Sequence, residues 1–409
     1  MMSRKLFARA VVMPLAAAAL VLMFTSAGAG AHAARLGGGT PPVGPCDPTI
    51  TSCVSTIAFS STRDHVSEGL TPLLLGAEVY LAEVMNPDTQ TPTMTNLRRL
   101  TDNVYGDAFA NLSPDGKKIV FDSNRLTAGT VCDGVTYYNI SDLFLMNTDG
   151  TEQTLLTRGS SVTWSPDSKN VAFHASASYS ASGGLVTGCP IRTDPGSATT
   201  DSDIFVANVD DLFARLEQPT NITNSPDWID DDPDWSASPS TAPKGQTIVF
   251  TRHPVTDDPR FSNQAELYLM NPDGTGLQRL TSNNEEERAP SWATDGSRIV
   301  FMCRIGGDRS DFEICLMNAD GTGLTQLTDN SVFDGTPTFS PDGQHILFHR
   351  TVGAAGSGNQ QLFIMNASLN ADGTLPQQTQ LTFGTPTSPD GVNNLARWGE
   401  LRLMGPNAP

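Results

Sequence analysis

Four short apolar submotifs, each recurring six times in the same order, predict an all-β chain folded as a six-bladed β-propeller of four-stranded antiparallel blades. Two further observations agree. Apolar residues come in short runs punctuated by 36 Gly, 28 Pro and many Asn and Asp, which suits strands joined by tight turns and leaves little room for long helices. The repeats are also out of phase with the chain: it opens on a second submotif at Ile57 and closes on a first submotif at Trp398. One blade is therefore expected to combine N- and C-terminal strands, which closes the ring and protects its edges.

The first submotif is a short strand before a turn, with copies at 108–113, 161–165, 232–236, 289–293, 336–340 and 395–399. A Pro-Asp-Gly turn follows in some copies, as at Pro114-Asp115-Gly116 and Pro341-Asp342-Gly343; Pro presets φ, Asp caps the turn and Gly accepts positive φ. The second submotif, Ile57-Ala58-Phe59 and its equivalents at 119–121, 171–173, 248–250, 299–301 and 346–348, is apolar on consecutive residues. Both of its faces must be covered, and packing between neighbouring blades covers both. The third submotif opens on an acid or amide and runs on in apolar residues at 78–81, 142–145, 203–206, 266–269, 313–316 and 361–364. Most copies lead into Met-Asn-x-Asp-Gly-Thr, a hairpin signal. The fourth is an outer strand ending in Leu-Thr or Ile-Thr, at Thr101, Thr157, Thr223, Thr281, Thr328 and Thr382.

At the N-terminus Arg4, Lys5 and Arg9 precede an apolar run over 10–24 and the small-x-small sequence Ala31-His32-Ala33. This reads as a secretory signal peptide over 1–33, and the run is too short and too weakly anchored for a stable membrane span. The expected layout is signal 1–33, extension 34–54, propeller 55–404 and tail 405–409, in a chain secreted or held in the periplasm or cell envelope. Loss of the three leader cations leaves 22 basic against 44 acidic residues. Such a surface repels nucleic acid and anionic membranes, and favours a soluble monomer with cationic or polar partners. The six cysteines suit disulfides in an exported protein, and none has CxxC spacing. Topology suggests the pairs Cys46–Cys53, Cys132–Cys189 and Cys303–Cys315.

The repeat PxWSPDGxxIxF followed by E/D-LYLMNxDGTxxxxLT resembles the TolB-like propellers, relatives of the tricorn and prolyl oligopeptidase propellers, over about residues 55–403. The resemblance implies the propeller without the N-terminal α/β domain of TolB, because the stretch between Ala34 and Ile57 leaves no room for it. A fold of this kind hosts many functions.

Loop length is uneven. First-to-second and third-to-fourth turns are short, whereas the inserted length falls at 60–77, 123–141, 175–202 and 350–360, on the face that also carries the blade crossings. Function gathers where loops vary. On that face Asp107, Asp230, Asp231, Asp232, Glu286, Glu287 and Asp334 are expected near the channel mouth, with His174, His349 and Arg304 as further binding candidates. Such carboxylates suit a solvated acidic rim or a hard cation such as Ca2+. The arginines ending the second strand (Arg63, Arg125, Arg252, Arg304, Arg350) are expected to pair with the acids opening the third (Glu78, Asp142, Glu266, Glu313). No GxSxG, HExxH or phosphate-loop motif occurs. The expected function is capture of a protein, peptide or glycan of the cell envelope or exterior, with no cofactor. The alternative is a propeller enzyme, a lyase or hydrolase of polysaccharide or peptide, at the channel mouth.

Overall fold

The structure is a computed structural model. It describes residues 53–63, 76–85, 87, 92–126, 130–132, 135–137, 141–176, 202–214, 217–236, 246–255, 264–283, 285–304, 312–353, 359–383 and 393–403. The expected signal segment, most of the 34–54 extension, the 405–409 tail and the bulk of the four long connections lie outside these residues, as do Cys46, Cys189 and the side chains of Cys53 and Cys132.

Strands are numbered in chain order. One sheet places β26 (Asn393–Leu403) beside β1 (Cys53–Ser61), β2 (Glu78–Met85) and β3 (Thr93–Arg99). The next holds β4 (Asp107–Leu112), β5 (Lys118–Ser123), β8 (Asp142–Asn147) and β9 (Thr154–Arg158), with a ribbon of β6 (Thr130–Cys132) and β7 (Val135–Tyr137) between β5 and β8 along the chain. Two more contain β18 (Glu286–Trp292), β19 (Arg298–Arg304), β20 (Glu313–Asn318) and β21 (Thr325–Gln326), and β22 (Asp334–Phe339), β23 (His345–Thr351), β24 (Gln360–Asn366) and β25 (Gln378–Gln380). The third and fourth repeats share a single eight-stranded sheet of β10 (Ser160–Trp164), β11 (Asn170–Ser176), β12 (Ser202–Asn208), β13 (Thr220–Asn221), β14 (Trp228–Trp235), β15 (Ile248–Pro254), β16 (Glu266–Met270) and β17 (Gln278–Arg279). A six-residue helix, α1 (Val209–Ala214), follows β12.

The expected six-bladed β-propeller is corrected in its blade count: the sheets show four separate four-stranded blades, with two repeats fused. The fusion is local. Strand β12 begins at Ser202, one residue before the acid position that opens β16 and β20, and this extra residue forms a parallel bridge to Ile229 of β14. Among the described residues the fold is otherwise all-β, and β1 pairs along its length with the last strand, β26.

The second-submotif strands are the core. Phe59, Phe121, Phe173, Phe250, Phe301 and Phe348 are fully buried, each worth about 2–3 kcal/mol of transfer free energy. Their clusters cross from sheet to sheet: Ala58, Val79 and Leu81 of the first pack with Ile119, Phe121 and Phe144 of the second. The innermost strands succeed one another around the axis as β26, β4, β10, β14, β18, β22 and back to β26. Each bends at the same place, with positive φ at Phe109, Ser161, Asp232, Ala289, Thr336 and Leu395. At each of these sites the pairing with the second strand slips by a residue, the signature of a β-bulge.

Candidate functional site

The end of the channel where the blade crossings lie is built by one recurring set of contacts. The closing Thr of the fourth submotif accepts the third-strand amide: Thr101 from Val79, Thr223 from Ile204, Thr281 from Leu267, Thr328 from Ile314 and Thr382 from Leu362, each at 2.9 Å. The acid opening the third strand caps the crossing that follows, Glu78 accepting from Asn103 N at 2.7 Å, Glu266 from Asn283 N at 3.2 Å and Glu313 from Asn330 N at 2.6 Å.

The second-strand arginines do not take those acids. Arg125 bonds Asp107 at 2.8 Å, Arg252 grips Asp230 through two nitrogens at 2.5 and 2.6 Å, Arg350 grips Asp334 at 2.6 Å twice, and Arg63 donates to Asn393 at 2.7 Å. Arg304 holds Glu286 at 2.5 Å. The expected pairing with the third strand is thus corrected to the first. Fourth-strand arginines already reach the third-strand acids, Arg99 to Glu78 and Arg279 to Glu266. Meanwhile four of these guanidiniums lie over the aromatic pair of their second and third strands, as Arg125 does over Phe121 and Phe144 at 5.4 and 4.5 Å and Arg350 over Phe348 and Phe363, while Arg304 lies over Phe312 at 4.2 Å.

All seven mouth carboxylates are buried. Asp107 is further held by Ser123 and Asn103, Asp334 by Asn330 and Asp230 by Ser225. Burial pushes Glu287 up to about 7 despite the amide of Asn283. Their oxygens face Arg, Asn, Ser and Thr, and in Asp231 two His rings. Among the described residues no group of three or more His, Cys, Asp or Glu is arranged to hold a metal ion. His349 is buried with Nδ1 2.7 Å from Thr336 Oγ1, and desolvation, aided by Arg397, takes it down to about 3.

The structure does bring one set together. Asp231 lies between two imidazoles, 3.8 Å from His174 Nδ1 and 3.7 Å from His253 Nε2. Against the cost of burial, these rings and Arg288 hold the carboxyl at about 2. Arg288 bonds Glu286 at 2.5 Å and Arg304 bonds the same carboxylate, so His174, Asp231, His253, Arg288, Glu286 and Arg304 make a polar belt across three repeats. Next along it, Ser160 donates to Asp122, whose carboxyl burial pushes up to about 8. Asp122, Ser160, His253 and Arg288 escaped sequence reasoning because each occupies its slot in one repeat only. One signal was available: the slot after the second-strand Phe varies through Ser60, Asp122, His174, Thr251, Met302 and His349.

No protein-family model matches the chain. Among solved structures, TolB from Acinetobacter baumannii superposes with a TM-score of 0.52 at 17% identity, covering 84% of this chain and 66% of that one. The fold is that of a TolB-like propeller. Hydrazine synthase from Kuenenia stuttgartiensis is similar over 88% of this chain and 48% of that one, with a TM-score of 0.53 at 12% identity. In sequence, 68 residues are 38% identical to dipeptidyl-peptidase 5 of Porphyromonas gingivalis, 16% of this chain and 10% of that protein. The chain therefore spans a tenth of that peptidase and about two thirds of that TolB chain.

In this TolB-like propeller every crossing runs from a fourth strand to a first, so the crossings share one side of the ring. Among the described residues, the large apolar side chains exposed in the crossings are Val104, Tyr105, Trp228 and Phe383, at 60%, 36%, 37% and 72% exposure, with Leu126 exposed on the same face; Asp102 and Asp227 are exposed beside the first three, and Asp329 in another crossing. On the opposite side a polar cleft of about 100 Å³ is lined by Glu83, Asn96, Arg98 and Thr148. Among the described residues no helix is long and apolar enough to cross a membrane.

Proposed function

We propose that this chain is an exported binding propeller that captures a protein or peptide ligand on its crossing face, around the channel mouth. The observation that carries this reading is the pairing of exposed apolar side chains with exposed acids in two crossings, Val104 and Tyr105 with Asp102 and Trp228 with Asp227, with exposed Phe383 and Asp329 in two others. Aromatic anchors ringed by charge are how interfaces concentrate binding energy, and the acids favour a ligand segment rich in Lys or Arg. Trp228 is held for this role, its ring stacked 5.7 Å from the Arg252 guanidinium.

The belt at the mouth supports binding over hydrolysis. Ser160 and His174 are cross-strand partners and His174 neighbours Asp231, the ingredients of a nucleophilic triad. Yet the serine hydroxyl donates to Asp122, and His174 Nδ1 accepts from the Asp232 amide at 3.4 Å, so no base activates the serine. The test is capture from native cell envelope and medium by the mature chain and by a Tyr105→Ala/Trp228→Ala variant. A specific polypeptide retained by the first and lost from the second is the expected result. Equal retention by both refutes the assignment of the face.

A further inference from the structure

The interior of the ring, below the mouth, holds a second arrangement, independent of the crossing face. Two positions past each bulge the innermost strands carry one polar residue: Asn111, Thr163, Asp234, Ser291, Thr338 and Arg397, all buried. Three are provided for. Asn111 donates to the Val162 carbonyl at 3.2 Å, Thr163 donates to Asp234 at 3.2 Å, and Asp234 also accepts the Trp292 amide at 2.6 Å. The other three stand on consecutive strands β18, β22 and β26. Ser291 Oγ and Thr338 Oγ1 have no hydrogen-bond partner, and Arg397, 4% exposed, makes one bond, to the carbonyl of its neighbour Ala396 at 3.3 Å. A guanidinium offers five donors, and a buried hydroxyl left alone is costly. This wall therefore has more hydrogen-bonding capacity than the protein uses.

Across the axis from β26 stands β14, which carries Asp232 and Asp234. Desolvation brings Arg397 down to about 10, and the charges of Asp234 and Asp232 oppose that fall. The lid is apolar. Phe109, on β4, packs against Ala289, Met302, Phe312 and Phe333 of the opposite side of the ring, so its side chain crosses the mouth.

We propose that the channel interior is a site for a zwitterionic α-amino acid with an apolar side chain, admitted when Phe109 swings aside. The carboxylate takes Arg397, Ser291 and Thr338, the ammonium faces Asp232 and Asp234, and the side chain lies against Phe109, Met302 and Phe312. A ligand with a single charge leaves the charge of the opposite wall unpaired in a desolvated site, which disfavours it.

Isothermal titration with L-leucine, N-acetyl-leucine and leucinamide tests this on the mature chain and its Arg397→Gln, Phe109→Ala and Ser291→Ala/Thr338→Val variants, with circular dichroism reporting folding. The expected result is saturable leucine binding, at least about tenfold weaker for each singly charged analogue, lost in Arg397→Gln, weakened in the double variant and retained in Phe109→Ala. No binding of leucine, equal binding of either analogue, or unchanged binding in a folded Arg397→Gln chain overturns the proposal. Should Arg397→Gln fail to fold, unchanged binding by the double variant overturns it equally. Capture of polypeptide on the crossing face is indifferent to leucine, so the two readings fail separately.

Discussion

At the scale of single residues, charge is organised by burial more than by the overall acidity of the chain. Asp122 is buried with Oδ1 unpartnered while Oδ2 accepts from Ser160, so the proton is retained on a carboxyl raised to about 8. A carboxyl whose folded value exceeds its unfolded one stabilises fully below the unfolded value, about 4, and loses that contribution as pH climbs through the folded one. His349, lowered to about 3, has the reverse effect, costing stability below its unfolded value of about 6.5. Urea midpoints for the native chain are therefore expected to fall between pH 6.5 and 8, and to fall less in Asp122→Asn; an identical slope in the variant refutes the protonated carboxyl. The Arg350–Asp334 pair makes a different demand. Arg350→Ala strands a fully buried carboxylate and is expected to cost about 3 kcal/mol in equilibrium unfolding. The repeats signalled such arginines and acids in the sequence, but not their pairing, which depends on stacking over Phe348 and Phe363 that only the folded sheet creates.

At the scale of elements, the Leu-Thr signature of the fourth submotif has a mechanical meaning: its Thr hydroxyl ties the outer strand to the third. Thr328 both accepts from Ile314 N and donates to Glu313, so Thr328→Val is expected to cost about 1–3 kcal/mol while Thr328→Ser costs less. The Cys303–Cys315 bridge expected from the strand ends is formed between β19 and β20. Cys315 stands opposite Phe301, where other repeats place Tyr80, Phe144, Phe205, Tyr268 or Phe363, so a covalent link replaces an aromatic stack. Replacing both cysteines by Ala is expected to lower stability by about 3 kcal/mol, as closure of a loop this short implies, in thermal or urea unfolding. The strands themselves were legible from apolar runs and turn residues. The bulge was not read, although Pro233, Pro290 and Pro337 follow its left-handed residue in three copies. Proline inside a strand is tolerated where the ladder is already broken, and that was the available clue.

At the scale of the whole molecule, the ring is legible in the sequence and its partition into sheets is not. Six equal repeats gave no sign that Ser202 would bridge to Ile229 and merge two of them, because the bridge rests on a single residue pair at the start of β12. The same repetition concealed the mouth. Acids that look like an open rim in sequence are drawn inward by arginines, leaving the crossing aromatics as the exposed feature of that face. Hydrogen exchange of the mature chain with and without a polypeptide that it captures is the direct measurement. Slowed exchange at 102–107, 227–231, 329–334 and 381–383 is the predicted result, with the Asn-x-Asp-Gly-Thr turns at 147–151, 271–275 and 318–322 unchanged. Protection confined to those turns would contradict it.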